Sequence, residues 1–168
     1  MKALGVLVAI ALSLALQTTL SRFVVGGSVA VDVVLVAVIA TALTIGPVGG
    51  MLAGTAAGLI QDALSTSLIG IGGLAKTIVG FLAGIVGTQF IVVHSLPRFV
   101  VFFAATIVHA VVFMGLYAVL DLRHFGTPYA AVTGQAVGNA LVGVVAFQLV
   151  ELLPGAVERR GDRNRTRR

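Results

Sequence analysis

The chain has no cysteine, only four prolines and three histidines among its 168 residues, and charged residues make up only 10% of it. Each shortage removes something. Without cysteine there is no disulfide and no thiolate metal site. His94, His109 and His124 are scattered, with no metal-ligand spacing around any of them. A soluble domain usually carries about 25% charged residues, so this composition argues against one. Acidic residues number six, and none is paired with another at a spacing that suits acid–base work. No Walker sequence, HExxH or His–Ser–Asp arrangement occurs. An enzyme needs a base, a nucleophile or a metal in mutual reach. The expectation is therefore a protein that is not an enzyme, with no catalytic residue, no cofactor and no metal.

What is abundant is apolar surface and glycine. Hydrophobic residues make up 58% of the chain, mean hydropathy is +1.11 and there are 21 glycines. Uncharged runs cover residues 3–21, 33–61, 99–120 and 125–150. A membrane-spanning helix needs about 20 predominantly apolar residues. The class is therefore all-α, a polytopic membrane protein. The pattern predicts six transmembrane helices, over residues 3–20, 29–45, 48–64, 68–92, 99–120 and 129–153. The first is read as a retained helix, because no small-residue cleavage site followed by a soluble domain appears after it. Asp32 falls in the first turn of the second helix, where the helix dipole favours a carboxylate. Gly46-Pro47 marks a tight turn. The fifth helix holds most of the aromatics, read as packing or lipid-facing residues, and His109, read as bonded to a neighbour.

The chain is organised around residues 49–87. Gly50, Gly54 and Gly58 lead at spacings of four to Asp62, and Gly72 leads through Lys76 to Gly80 and Gly84. Residues four apart lie nearly above one another on a helix, so each helix presents a smooth backbone face carrying one charge. In lipid, apolar burial does not drive helices together; close approach over small residues does. Those six glycines, with Gly134 and Gly138 on the sixth helix, are the expected packing positions. Gln135 and Asn139, also four apart, are placed to bond a facing helix. Asp62 and Lys76 face one another across a short Ser65-Thr66-Ser67 turn and are read as an intramembrane ion pair, since buried charges are costly unless paired.

Six helices put both termini on one side. With the termini in the cytoplasm, Lys2, Arg98 and the tail residues Arg159, Arg160, Arg163, Arg165, Arg167 and Arg168 are inside, against Arg22 and Arg123 outside. The positive-inside rule favours that orientation. Residues 1–154 then form the transmembrane domain and 155–168 a basic, disordered cytoplasmic tail. The tail's charge is a topology signal, with contact to anionic membrane lipid a secondary role; no nucleic acid partner is expected.

The run Gly54-x3-Gly58-Leu59-x2-Asp62-x7-Gly70-x3-Leu74, continuing through Val79-Gly80-Phe81-Leu82-x-Gly84, resembles the signature of the MreD family of rod shape-determining proteins. The other segments keep the family's order: a first helix ending in Gln17-Thr-Thr, then an acid opening the second helix. Where the family often has Pro-Asp, this chain has Val31-Asp32. The resemblance implies a non-catalytic scaffold or regulatory subunit of the bacterial cell-elongation machinery, in the inner (cytoplasmic) membrane. Its implied partners are an MreC-like bitopic membrane protein and, through that protein, the RodA glycosyltransferase and a class B penicillin-binding protein of peptidoglycan synthesis. The implied fold resembles the six-helix substrate-binding subunit of energy-coupling-factor vitamin transporters. Such a subunit is the alternative function, although the outer loops offer few polar residues to grip a vitamin. A small oligomeric channel, the third class, needs a polar stripe that only the sixth helix approaches.

Overall fold

The computed structural model describes residues 2–20, 31–65, 68–90, 94–121 and 129–152. Every regular element in them is a helix: α1 (Lys2–Leu20), α2 (Val33–Ile45), α3 (Pro47–Leu64), α4 (Ile71–Gln89), α5 (Ser95–Val119) and α6 (Tyr129–Leu152). The expected loop at 22–28, most of the loop at 121–128 and the tail from 155 lie outside the described residues.

Three of the six are long and apolar enough to cross a membrane: α4, α5 and α6 up to Leu149. The expected second span is corrected. It does not begin at 29, because Asp32 is extended (φ −99°, ψ 90°) and stands outside the helix as its N-cap. The remaining 13 residues of α2 reach about 20 Å at 1.5 Å per residue, short of a hydrocarbon core about 30 Å thick. The fourth helix is also shorter than expected. Gly70 holds φ at +108° just before it, a backbone state that glycine adopts without strain. Helix α5 begins four residues earlier than expected and keeps Pro97 in its first turn, where proline removes no intrahelical bond.

Helix α2 is the axis of the molecule and touches every other helix. Around it the others run in the order α1, α3, α4, α5, α6, and among the described residues α6 and α1 do not meet. Two apolar clusters flank it. Val34 and Val38 pack with Ile10 and Leu14 of α1 and Ala53 and Ala57 of α3. Leu35, Ile39 and Ala42 pack with Val79, Ala83, Phe102 and Ala140 of α4, α5 and α6. Gly46 closes α2 at φ +89°, and Pro47 at the next position starts α3. One residue thus ends one helix and opens the next, consistent with proline's preference for the first helical position.

The closest packing is between α3 and α4. A Cβ added at Gly54 would collide with the carbonyl of Lys76, and one added at Gly50 with the carbonyl of Gly80. At Gly58 it would sit 2.5 Å from the Cα of Gly73. The two backbones are therefore in direct contact over about two turns. Gly84 meets Pro47 at the far end in the same way. Thr55 and Thr77 add a hydroxyl hydrogen bond of 2.8 Å across the same interface.

Candidate functional site

Polar side chains converge on the first turn of α2 from four other helices. Helix starts leave backbone N–H groups without intrahelical acceptors, and here each acceptor comes from a different place. Asp32 Oδ1 accepts from the Leu35 N–H at 2.9 Å, an ordinary N-cap. The Asp32 N–H donates to Asn139 Oδ1 of α6 at 2.8 Å. The Val33 N–H donates to Gln17 Oε1 of α1 at 2.8 Å, and Gln17 Nε2 donates back to the Val31 carbonyl at 3.4 Å. Asn139 Nδ2 reaches Thr106 Oγ1 of α5 at 3.2 Å, and that hydroxyl donates to the Phe102 carbonyl at 2.8 Å. Asn139 and Thr106 are fully buried.

The second oxygen of Asp32 receives the charge. Lys76 Nζ of α4 lies 3.0 Å from Asp32 Oδ2 and 3.4 Å from Nε2 of His109 on α5. Lys76 is 3% exposed and His109 8%. Asp32, Lys76 and His109 thus form one buried chain spanning α2, α4 and α5. The expected Asp62–Lys76 pair is corrected by this arrangement. Lys76 turns its backbone carbonyl to Gly54 of α3 and its side chain to α2 and α5. Asp62 spends its charge locally, its Oδ2 accepting from the Gly70 N–H at 2.9 Å and the Gly73 N–H at 3.1 Å. It caps the start of α4 from the last turn of α3, supplying the side-chain acceptor that the N-cap residue Gly70 lacks. Gly72 lies against that carboxylate, where a Cβ would strike Oδ1.

Of the expected packing glycines, Gly50, Gly54, Gly58, Gly80 and Gly84 sit at helix contacts. Gly72 serves Asp62, and its neighbour Gly73 is the residue opposite Gly58. Gly134 is corrected: it is exposed, and an added Cβ there meets nothing within 4 Å. Gly138 is half-buried on α6. Gly143, one turn beyond Asn139, makes room for the ring of Phe102. That ring stands edge-on to Phe147 at 6.1 Å, and the Arg98 guanidinium covers Phe147 at 4.8 Å. The counted inside charge of Arg98 is thus buried between α5 and α6.

Gln17, Thr106 and the true role of Asp32 were not evident from spacing. One signal was available. Asp32 and Asp62 stand at the two ends of the uncharged run 33–61, so both were candidate partners for Lys76, and nearness in sequence pointed to the wrong one.

Chemically, the cluster is balanced: one carboxylate, one ammonium, and amides and a hydroxyl bonded to backbone. Among the described residues no three His, Cys, Asp or Glu side chains come together. The arrangement can hold four helices in register around a short central one. It gathers no nucleophile and base facing an open space.

A family model described as rod shape-determining protein MreD matches residues 1–154. No curated protein and no solved structure matches the chain. The match covers all six helices, including the hub residues Gln17, Asp32, Lys76, Thr106, His109 and Asn139, and the chain therefore belongs to the MreD family of rod shape-determining proteins.

Proposed function

We propose that this protein is a non-catalytic membrane scaffold of the bacterial cell-elongation complex, and that it binds an MreC-like single-span partner. Through that partner it acts on the RodA glycosyltransferase and a class B penicillin-binding protein of peptidoglycan synthesis. The observation that carries the reading is the family match over residues 1–154, and the geometry agrees with it. The buried polar groups at the start of α2 are spent on holding helices together, as suits a rigid platform.

In this reading all six helices lie in the inner membrane, with both termini cytoplasmic. Helix α2 then opens within the hydrocarbon zone, since it is about 10 Å too short to cross. Non-helical backbone at that depth is tolerated only inside protein or beside a wet cavity. Gln17, Asn139 and Asp32 satisfy that backbone from within the bundle.

The test is a pull-down of the tagged protein from nanodiscs or mild detergent, read by mass spectrometry. Recovery of an MreC-like bitopic protein together with elongation synthases is the expected result. Recovery of an ATPase pair and a coupling subunit would overturn it in favour of a vitamin-transporter subunit. Because the chain has no cysteine, single introduced cysteines can report the side of each loop without a background.

A further inference from the structure

The hub at the start of α2 leaves one buried ring half-used. Lys76 Nζ meets His109 at Nε2, and an ammonium has only donors to offer. Nε2 must therefore accept, which places the imidazole's proton on Nδ1; this tautomer is inferred from the contact, as it must be for any histidine. Among the described residues Nδ1 has no acceptor. The ring is more than nine-tenths buried, and a buried N–H with no acceptor from the protein calls for one from elsewhere.

The surroundings restrict what supplies it. Nδ1–H is a donor, so the group it lacks is an acceptor. His109 is the fifteenth of the 25 residues of α5, close to its middle. With α5 crossing the membrane, as its length and hydropathy allow, the ring lies about 15 Å from the nearer helix end. Lipid phosphates and ester carbonyls sit near the ends of such a helix and do not reach it. Phe113 stacks on the ring at 5.8 Å and Tyr117 packs on Phe113 at 4.9 Å, so the side toward the end of α5 is covered by aromatic surface.

We propose that Nδ1 of His109 binds a water molecule held within the bundle, the fourth member of the chain Asp32–Lys76–His109–water. Water is small enough for the depth and brings a lone pair to that N–H. Buried waters characteristically occupy places where enclosed polar groups lack partners, making about three hydrogen bonds each. The consequence is that the Lys76–Asp32 pair lies one imidazole away from a water.

The experiment is nuclear magnetic resonance on the full chain in nanodiscs, labelled with 15N-histidine. His94→Gln and His124→Gln remove the other two ring signals. The expected spectrum has the proton on Nδ1, magnetisation transfer from water to that proton, and loss of its signal in D2O ahead of the backbone amides of α5. A proton on Nε2 would overturn the proposal. So would an Nδ1–H that receives nothing from water and outlasts those amides. Water contact that appears only after a partner protein is added would overturn it too, by assigning the site to the complex. In Lys76→Met the fixed tautomer should be lost, a readout that a merely space-filling ring would not give. None of these results depends on which complex the protein joins, so the scaffold reading can fail separately.

Discussion

Along α3 and α4, Gly50, Gly54 and Gly58 bring one backbone against the carbonyls and Cα atoms of the other. At the start of α2, Gln17, Lys76, Thr106, His109 and Asn139 converge from four other helices on the end that Asp32 caps. The first contact works by removing side chains, and the second by long polar ones. The first joins neighbours in the chain; the second joins residues up to 107 positions apart. In water both would be helped by apolar burial. In lipid that drive between helices is absent, and close packing and hydrogen bonding must carry the association. The glycine interface can bring two helices together but cannot say where a third belongs. The polar hub fixes the positions of the rest, because its hydrogen bonds tie particular atoms of α1, α4, α5 and α6 to one another and to the start of α2.

The comparison is broken most severely at the charges. Lys76→Met alone should destabilise the protein by about 3–5 kcal/mol, since it strands the Asp32 carboxylate. The thermal midpoint in nanodiscs, followed by size-exclusion chromatography, measures this. Asp32→Asn combined with Lys76→Met should recover much of the loss, as a double-mutant cycle shows for residues in contact. Asp62→Asn combined with Lys76→Met should recover none. Rescue by Asp62 rather than Asp32 would mean that the pairing described here is wrong.

That reversal shows what was legible in the sequence and what was not. The glycine faces could be read because α3 and α4 are consecutive and their spacing of four repeats along one face. Five of the eight expected packing glycines came from that regularity, and the helix count from the uncharged apolar runs and the breaks between them. The partner of Lys76 could not be read in that way. Two acids were available, and the deciding fact is that Asp62 is taken up by the N–H groups of Gly70 and Gly73. Gly70 sits at φ +108°, and that turn brings those donors to Asp62. Nothing in the spacing of charges announces such a turn. The length of α2 is hidden from sequence for a related reason: an aspartate can begin a helix or stand just before it, and Asn139, far along the chain, helps decide which.

The next effect in size is at the glycine interface. Gly54→Leu should cost at least about 1–3 kcal/mol, the usual range for overpacking. The upper part of that range is expected, because the obstructing atoms belong to the backbone of Lys76 and Thr77 and cannot rotate away. The variant should also separate α3 from α4, which crosslinking between cysteines introduced on the two helices would detect. Undiminished crosslinking with an unchanged thermal midpoint would refute the reading of a backbone-to-backbone contact.

The smallest effect sharpens the comparison by asking whether every glycine column is the same. Gly134 lies on an exposed part of α6, and nothing stands within 4 Å of where its Cβ would be. Among the described residues it packs against no other helix. Gly134→Leu should therefore change the stability of the isolated protein by less than about 0.5 kcal/mol, as substitutions away from packed or bonded features do. The same substitution at Gly54 should be severe, so the pair separates glycines that hold this fold from glycines that do not. The partner pull-down then gives Gly134 its meaning. If recovery of the single-span partner falls in Gly134→Leu while the fold is untouched, the open glycine is a docking position, doing between proteins what Gly54 does between helices. If recovery is unchanged, Gly134 faces lipid, and small residues on α6 matter only where Gly143 admits the ring of Phe102.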